Sequence, residues 1–537
     1  MPLKIEVRAP DSLAHMVFFI LALLTLSWVC YDGLWGQLVT YGAGSDIWEH
    51  VAVLKAWSQN ILHPSHPQVN VDAGSPRYSP LYLCYAIIVA ATGLPPLQMI
   101  GWIGIVHFIL LLVGLRWFAL AYYRSVWAPV ITLIVMLTFW GIGWGWSNAY
   151  GLRSLILVSS YPSIGVFGLS FILFGFALRL IRQPQELSNV QGAAFCGLVF
   201  VIILSHFLTA IFAGVFGLSL LFFEKSTNPR NKRKIVCWAA VAFALALLWP
   251  WYSLGGVLFT NDLALQANWL KAESFPELDR IARLNSTGRR KYFYDMDQLL
   301  LRAGVGLVGF LFLPVVWKFL PRYRAIVMMA GIFIGLLMIN AVLPIALGHR
   351  YLFFALVAAH LCLVAVFVEA IRIQNVVGRF FGIVLVSLVL VVFGIQKVSQ
   401  TYRQYIQSVV ISFDRDASES PVVRRNKAIA EHLSEESIIA SDLTTAFSLA
   451  AFIGKVMIPK RGHYFIKDGS QRKKDLRIIL DPETDDRLRR VLLDRYGVTD
   501  LIVTKQNRSP ELETFCHKES VAVVIVGDDQ VCKLRQS

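Results

Sequence analysis

The stretch YGAGSDIWEHVAVLKAWSQN, residues 41–60, sets Asp46, Glu49 and His50 at helical spacing behind an apolar run at about 14–40. That run is long enough to cross a bilayer. If 46–60 is a helix, the three groups share one face at i, i+3 and i+4. Ile47, Val51, Val53, Leu54 and Trp57 then supply apolar surface for lying on a membrane or a helix bundle. Two readings of the trio stand open. One is a solvated first turn, with Ser45 as cap and the two carboxylates favoured by the helix dipole. The other is a functional cluster, because ionisable groups at the mouth of a membrane protein are costly to keep.

Composition decides the environment. Of 537 residues, 56% are hydrophobic and 16% charged, and the mean hydropathy is +0.58. Apolar runs of about 20 residues recur, which makes the chain a polytopic α-helical membrane protein. The formal net charge of +15 sits largely in short loops between apolar runs, so it reports membrane orientation and no nucleic-acid binding is expected. The first apolar run has no small-residue cleavage site and reads as a signal anchor.

Spanning helices are expected at 15–39, 97–116, 125–146, 160–180, 190–206, 207–224, 235–257, 298–317, 325–346, 351–371 and 380–398, about eleven crossings. Lys4, Arg8, Arg116, Arg124, Arg179, Arg182, EKSTNPRNKRK (224–234), KFLPRYR (318–324), Arg372 and Arg379 then fall on one face. That face is cytoplasmic by the positive-inside rule. The expectation is a plasma (inner) membrane protein with a cytoplasmic N-terminus. The loops 40–96, 147–159 and 258–297, the turn GHRY (348–351) and everything after 399 lie outside the cytoplasm. The pair at 190–224 requires a break at SHFLT; a single long helix there would invert everything downstream. The segment SPRYSPLYLCYAIIVAATGLPP, 75–96, has an apolar core too short to span and begins and ends at prolines. It reads as interfacial or re-entrant, so 40–96 forms one large outward loop.

Two domains follow: a transmembrane domain, 1–399, and an extracytoplasmic α/β domain, 400–537. In the second, strand-like runs SIIAS, KVMIP, DLIVTK and VAVVIVG alternate with helical patterns SPVVRRNKAIAEHL and TDDRLRRVLLDRYG. Cys516 and Cys532 flank VAVVIVGDDQ, and sequence leaves open whether they are bridged or free. The other five cysteines have no metal-ligand spacing and read as small hydrophobes.

Three separated places carry a family resemblance. The order in 15–96, apolar helix, loop acid, amphipathic helix and S-P-L-Y, resembles the first outward loop of the GT-C membrane glycosyltransferases, near the aminoarabinose and protein O-mannosyl transferases. GHRYLFFALVAAHLCLVAVF (348–367) resembles the opening of a late helix in that family. KAIAEHLSEESIIASD, IPKRGHYF and DRYGVTDLIVTK resemble the outward α/β domain of its bacterial members. The resemblance implies a polyprenyl-phosphate-linked sugar donor, a lipid, glycan or protein acceptor, contact with membrane lipid, and Asp46 as general base.

A leaving phosphate calls for guanidinium partners, whose planar fork matches its oxygens. Arg350, with His349, stands at an outer helix mouth, and Arg77 precedes SPLY. Arg289, Arg290 and Lys291 in GRRKYFYD break the positive-inside pattern, which fits anion binding or a solvated loop. Arg350 itself fits either a phosphate contact or an interfacial anchor. Tyr78, His206 and Tyr351 are candidates to line the cavity, and His206 equally fits a hydrogen-bonded structural histidine. Asp46, Glu49 and His50 have the ligand types of a divalent-cation site. The rivals are a transporter of lipid-linked glycans, which the absence of an internal repeat disfavours, and a polysaccharide polymerase or ligase.

Overall fold

The computed structural model describes residues 9–31, 34, 45–141, 150–259, 303–342, 350–373, 376–413, 420–458 and 465–535. The chain divides into two compact units: a helical unit, 1–33, 102–248 and 270–407, and a sheet unit, 34–101, 249–269 and 408–537.

The chain is a multi-pass membrane protein. Among the described residues, six helices are long and apolar enough to cross a bilayer: Ser12–Tyr31, Pro96–Tyr123, Pro162–Arg182, Pro321–Asn340, Tyr351–Ala370 and Gly382–Gln400. Shorter apolar helices at Pro80–Thr92, Ala128–Thr138, Asn189–Ser205, Phe207–Phe223 and Gly304–Phe319 fall among them. The first and last of the six keep large apolar side chains exposed, Leu23 and Leu24 in one and Leu385 and Ile395 in the other. Such surfaces suit lipid. Tyr351–Ala370 has the opposite character and is almost wholly buried, against Arg324–Val342 and Ala128–Thr138.

Two local features explain the packing of the helical unit. Gly114 and Gly168 face each other so closely that a Cβ on either would lie about 2.5 Å from the other helix's backbone, the small-residue contact that lets membrane helices approach. Between Asn189–Ser205 and Phe207–Phe223 the chain breaks at His206, whose side chain accepts from the Thr209 amide and so caps the second helix. The break expected at SHFLT is therefore made by an extended residue with a built-in cap.

In the sheet unit, β1 (Ile438–Ala440), β2 (Lys455–Val456), β3 (Asp500–Val503), β4 (Ser520–Val526) and β5 (Asp529–Leu534) form one sheet in the order β2-β1-β3-β5-β4. β1 is parallel to both neighbours, and β5 runs antiparallel between β3 and β4. Asp442, Asp485 and Ser509 cap the helices that follow them. Cys516, on the Pro510–Glu519 helix, is bridged to Cys532 on β5, and both are fully buried.

The first loop is part of this unit. Val69 forms a parallel bridge with Val456, and the Val456 amide donates to the Gln68 carbonyl at 2.7 Å, so the loop extends the sheet beyond β2. Val69 sits in one core with Ile439, Leu449, Ile502 and Val531. The His66 Nδ1 accepts from the Gln68 and Val69 amides at 3.2 and 3.0 Å, which folds the turn that presents the strand. Lys455 Nζ donates to the His66 carbonyl at 2.6 Å, and Lys55 pairs with Glu435 at 2.9 Å. Covering a sheet edge in this way removes a site for unwanted strand pairing.

Candidate functional site

The site builds up from the Ile47–Gln59 helix. The Asp46 carbonyl accepts from the Glu49 and His50 amides at 3.1 and 3.4 Å, while its side chain does not cap the helix. Ser45 Oγ accepts from the Ile47 amide at 3.4 Å, the role the capping alternative gave it. Ten of the helix's 13 residues are buried, far more than one amphipathic face, because it packs against both Pro80–Thr92 and Leu443–Leu449. Trp48 meets Phe452 at 5.7 Å between ring centres. Glu49 and His50 are therefore inside the unit, and a wholly solvated first turn is not what forms.

A buried carboxylate is costly unless paired. Arg77 supplies the pair: its guanidinium lies 3.0 Å from Glu49 Oε2, with the Glu49 side chain 3% exposed and that of Arg77 31%. The SPRYSP segment positions that arginine. Buried Ser75 accepts from the Arg77 amide through Oγ and from the Tyr78 amide through its carbonyl, and Ser79 then caps the Pro80–Thr92 helix. His50 stacks on Tyr82, with ring centres 5.2 Å apart.

Tyr78 is buried, donates its hydroxyl to the Ser65 carbonyl at 2.5 Å and packs edge-on against Trp57 at 4.8 Å. Burial pushes its phenol pKa up, so it is a neutral donor. Trp249 Nε1 donates to the Tyr78 carbonyl at 2.7 Å, and Trp251 lies 5.4 Å from Trp57. Gly74 permits this approach, since a Cβ there would meet the Trp251 carbonyl oxygen at 2.4 Å. Sequence reading missed the contribution of WPWY (249–252); its dense aromatics at the end of an apolar run were the available signal.

Asp46, Glu49 and His50 do not fit a cation as a set. A guanidinium stands against Glu49, and among the described residues no three His, Cys, Asp or Glu side chains gather as metal ligands. The structure thus brings together Glu49, His50, Arg77 and Tyr78 around the helix that Asp46 opens.

The remaining candidates belong to the helical unit or fall outside the described residues. Arg350 is half-buried at the N-cap of Tyr351–Ala370, where the helix dipole disfavours a cation. Tyr351 is buried, its ring 6.2 Å from that of Phe333. His206 Nδ1 lies 2.8 Å from Thr209 Oγ1, in keeping with the structural alternative. His349, Arg289, Arg290 and Lys291 lie outside the described residues.

No protein-family model and no curated protein matches the sequence. Solved structures do resemble the fold. The oligosaccharyltransferase of Archaeoglobus fulgidus in its apo form has a TM-score of 0.55 at 12% identity, over 94% of this chain and 71% of that one. Archaeal AglB from the same organism, in complex with an inhibitory peptide and a dolichol-phosphate, has a TM-score of 0.51 at 13% identity, over 94% and 70%. ArnT from Cupriavidus metallidurans bound to undecaprenyl phosphate has a TM-score of 0.51 at 13% identity, over 96% and 97%. The chain has the GT-C fold, helical membrane segments with a small C-terminal sheet domain.

Proposed function

We propose that the protein is a membrane glycosyltransferase that moves a sugar from a polyprenyl-phosphate donor to a hydroxyl or amine acceptor at the outer face of the membrane. The observation that carries this reading is the GT-C fold itself. It is matched over nearly the whole of this chain and nearly the whole of ArnT, which was solved with undecaprenyl phosphate bound. A second neighbour was solved with dolichol-phosphate.

In the proposed step the acceptor oxygen or nitrogen attacks the anomeric carbon and the bond from that carbon to the phosphate oxygen breaks. The acceptor proton goes to the Asp46 carboxylate, and the electron pair leaves with the lipid phosphate. Asp46 is the proposed base from its place at the opening of the first-loop helix, directly after the first apolar segment. Guanidiniums stabilise the charge that develops on the leaving phosphate. Arg77, steadied by Glu49, and Arg350 are the candidates, with Arg289, Arg290, Lys291 and His349 as further ones. The Cys516–Cys532 bridge supports an extracytoplasmic sheet unit, because disulfides persist in oxidising compartments.

The test is Asp46→Asn, nearly isosteric and lacking the base. Turnover of purified protein should fall about 10²–10⁴-fold, the usual worth of acid–base catalysis, with thermal stability and donor binding kept. A variant retaining a tenth of wild-type turnover removes Asp46 from that role.

A further inference from the structure

One end of the helical unit gathers four arginines outside the chemistry just proposed. Arg182 pairs with Glu224 at 2.7 Å, and Arg124 approaches the same carboxylate at 3.8 Å. Arg322 and Arg372 share Glu369 at 3.1 and 2.8 Å, and Tyr323 donates its hydroxyl to that glutamate at 2.7 Å. Within this network four guanidiniums meet two carboxylates, so positive charge is left over.

Most of the arginines have a structural task. Arg182 donates to the Ala121 carbonyl, and Arg322 and Arg372 both donate to the Tyr123 carbonyl at 2.7 Å. They satisfy the carbonyls that the end of the Pro96–Tyr123 helix leaves open, and helix C-termini favour cations. Arg124 differs. Its side chain is 62% exposed, and its contact with Glu224 is the loosest in the network. It also has φ +53°, the only positive φ outside glycine among the described residues. At such a helix terminus glycine is the ordinary residue, and an arginine held there is strained. Its guanidinium pKa is lowered, first by the Arg182 charge, with burial and Arg322 adding to it. Arg124, Arg182 and Arg322 thus crowd one helix end, with Arg124 and Arg182 sharing Glu224 and with Arg322 and Arg372 sharing Glu369.

The same end carries the marks of a headgroup level. Trp317 is 43% exposed, with Arg324 over its ring at 5.2 Å and Phe223, the residue before Glu224, 5.6 Å away. Phe222 and Phe319 are exposed beside them in sequence. Aromatic and basic side chains together characterise a membrane interface.

We infer that Arg124, with Arg182 and Arg322, holds the phosphate of an anionic phospholipid at this end of the helical unit. The ligand neutralises the surplus charge, and a lipid headgroup, unlike free phosphate, brings acyl chains that cover the exposed aromatic and aliphatic side chains. Basic clusters at helix ends recognise such headgroups by charge.

The test uses full-length protein in neutral detergent, with thermal unfolding followed during titration with phosphatidylglycerol, phosphatidylcholine or inorganic phosphate. Phosphatidylglycerol should raise the wild-type midpoint, and the other two should not. Arg124→Gly should unfold at the same or a higher temperature without lipid, because glycine accepts the φ, yet its apparent affinity for phosphatidylglycerol should fall about fivefold. Arg124→Gln keeps the strained backbone and drops only the charge; it should show the same fall. Wild-type affinity in either variant overturns the assignment, and so does an equal wild-type response to inorganic phosphate.

Discussion

Arg350 is where residue-scale chemistry separates two uses of one side chain. A cation at the N-cap of a helix opposes the dipole, so helix stability does not explain it. As a phosphate ligand it needs its planar fork; as an interfacial anchor it needs only charge and reach. Arg350→Lys should therefore lose roughly tenfold or more in kcat/KM for the lipid donor at normal expression, and Arg350→Ala should lose more, as steady-state assays would measure. Full activity in the lysine variant leaves anchoring as its role and moves the phosphate contact toward Arg289, Arg290 and Lys291. Sequence spacing put Asp46, Glu49 and His50 at i, i+3 and i+4 on one face if 46–60 is a helix, and the structure starts that helix at Ile47 with Asp46 as its N-cap. It did not show that Glu49 reaches Arg77, because a pair separated by 28 positions depends on how 60–80 folds back.

At the scale of elements, strands written in apolar runs were legible and those written otherwise were not. SIIAS, KVMIP, DLIVTK and VAVVIVG became β1, β2, β3 and β4, but DQVCKL, whose longest apolar run is Val531–Cys532, escaped notice and is β5. Val69 escaped for a stronger reason: HPQVNVDAG carries no strand signal, and its bridge to Val456 exists only because the sheet edge is there to receive it. The two half-buried lysines at this junction make its stability depend on pH. Burial, helped by the Lys55 charge, brings the Lys455 pKa down to about 8, with Glu435 opposing; Lys55 is lowered too, chiefly by burial. Below pH 8 Lys455 is charged in both states and the folded protein bears the desolvation cost. Between that pKa and the ordinary lysine value near 10.4 the unfolded chain binds more protons, so stability rises with pH. The thermal midpoint should climb between about pH 7.5 and 9, and Lys455→Met should flatten the climb. An identical slope in the variant would show that Lys455 is not its source.

For the whole molecule, the apolar segments were plain in the sequence, and a helix lies at each expected position that the structure describes. Among the described residues, length and apolarity nevertheless qualify six as sufficient to cross alone, because several of the others are short. That the first loop belongs to the C-terminal unit was not legible, since it arises from contacts between residues almost 400 positions apart. The proposed orientation has a direct consequence. Glu483 is exposed before the Asp486–Arg495 helix, and Glu483→Cys, with exposed Cys84 and Cys237 replaced by Ala, should react with a membrane-impermeant thiol reagent in intact cells. Labelling only after lysis would reverse the orientation.

The central claim, that this fold cleaves a lipid-phosphate sugar and does not merely carry it, is tested by purified protein in proteoliposomes given a radiolabelled polyprenyl-phosphate sugar and an acceptor extract. Free polyprenyl phosphate and label on the acceptor should appear in equal amounts. Intact donor moving across the bilayer with no lipid phosphate released would contradict it.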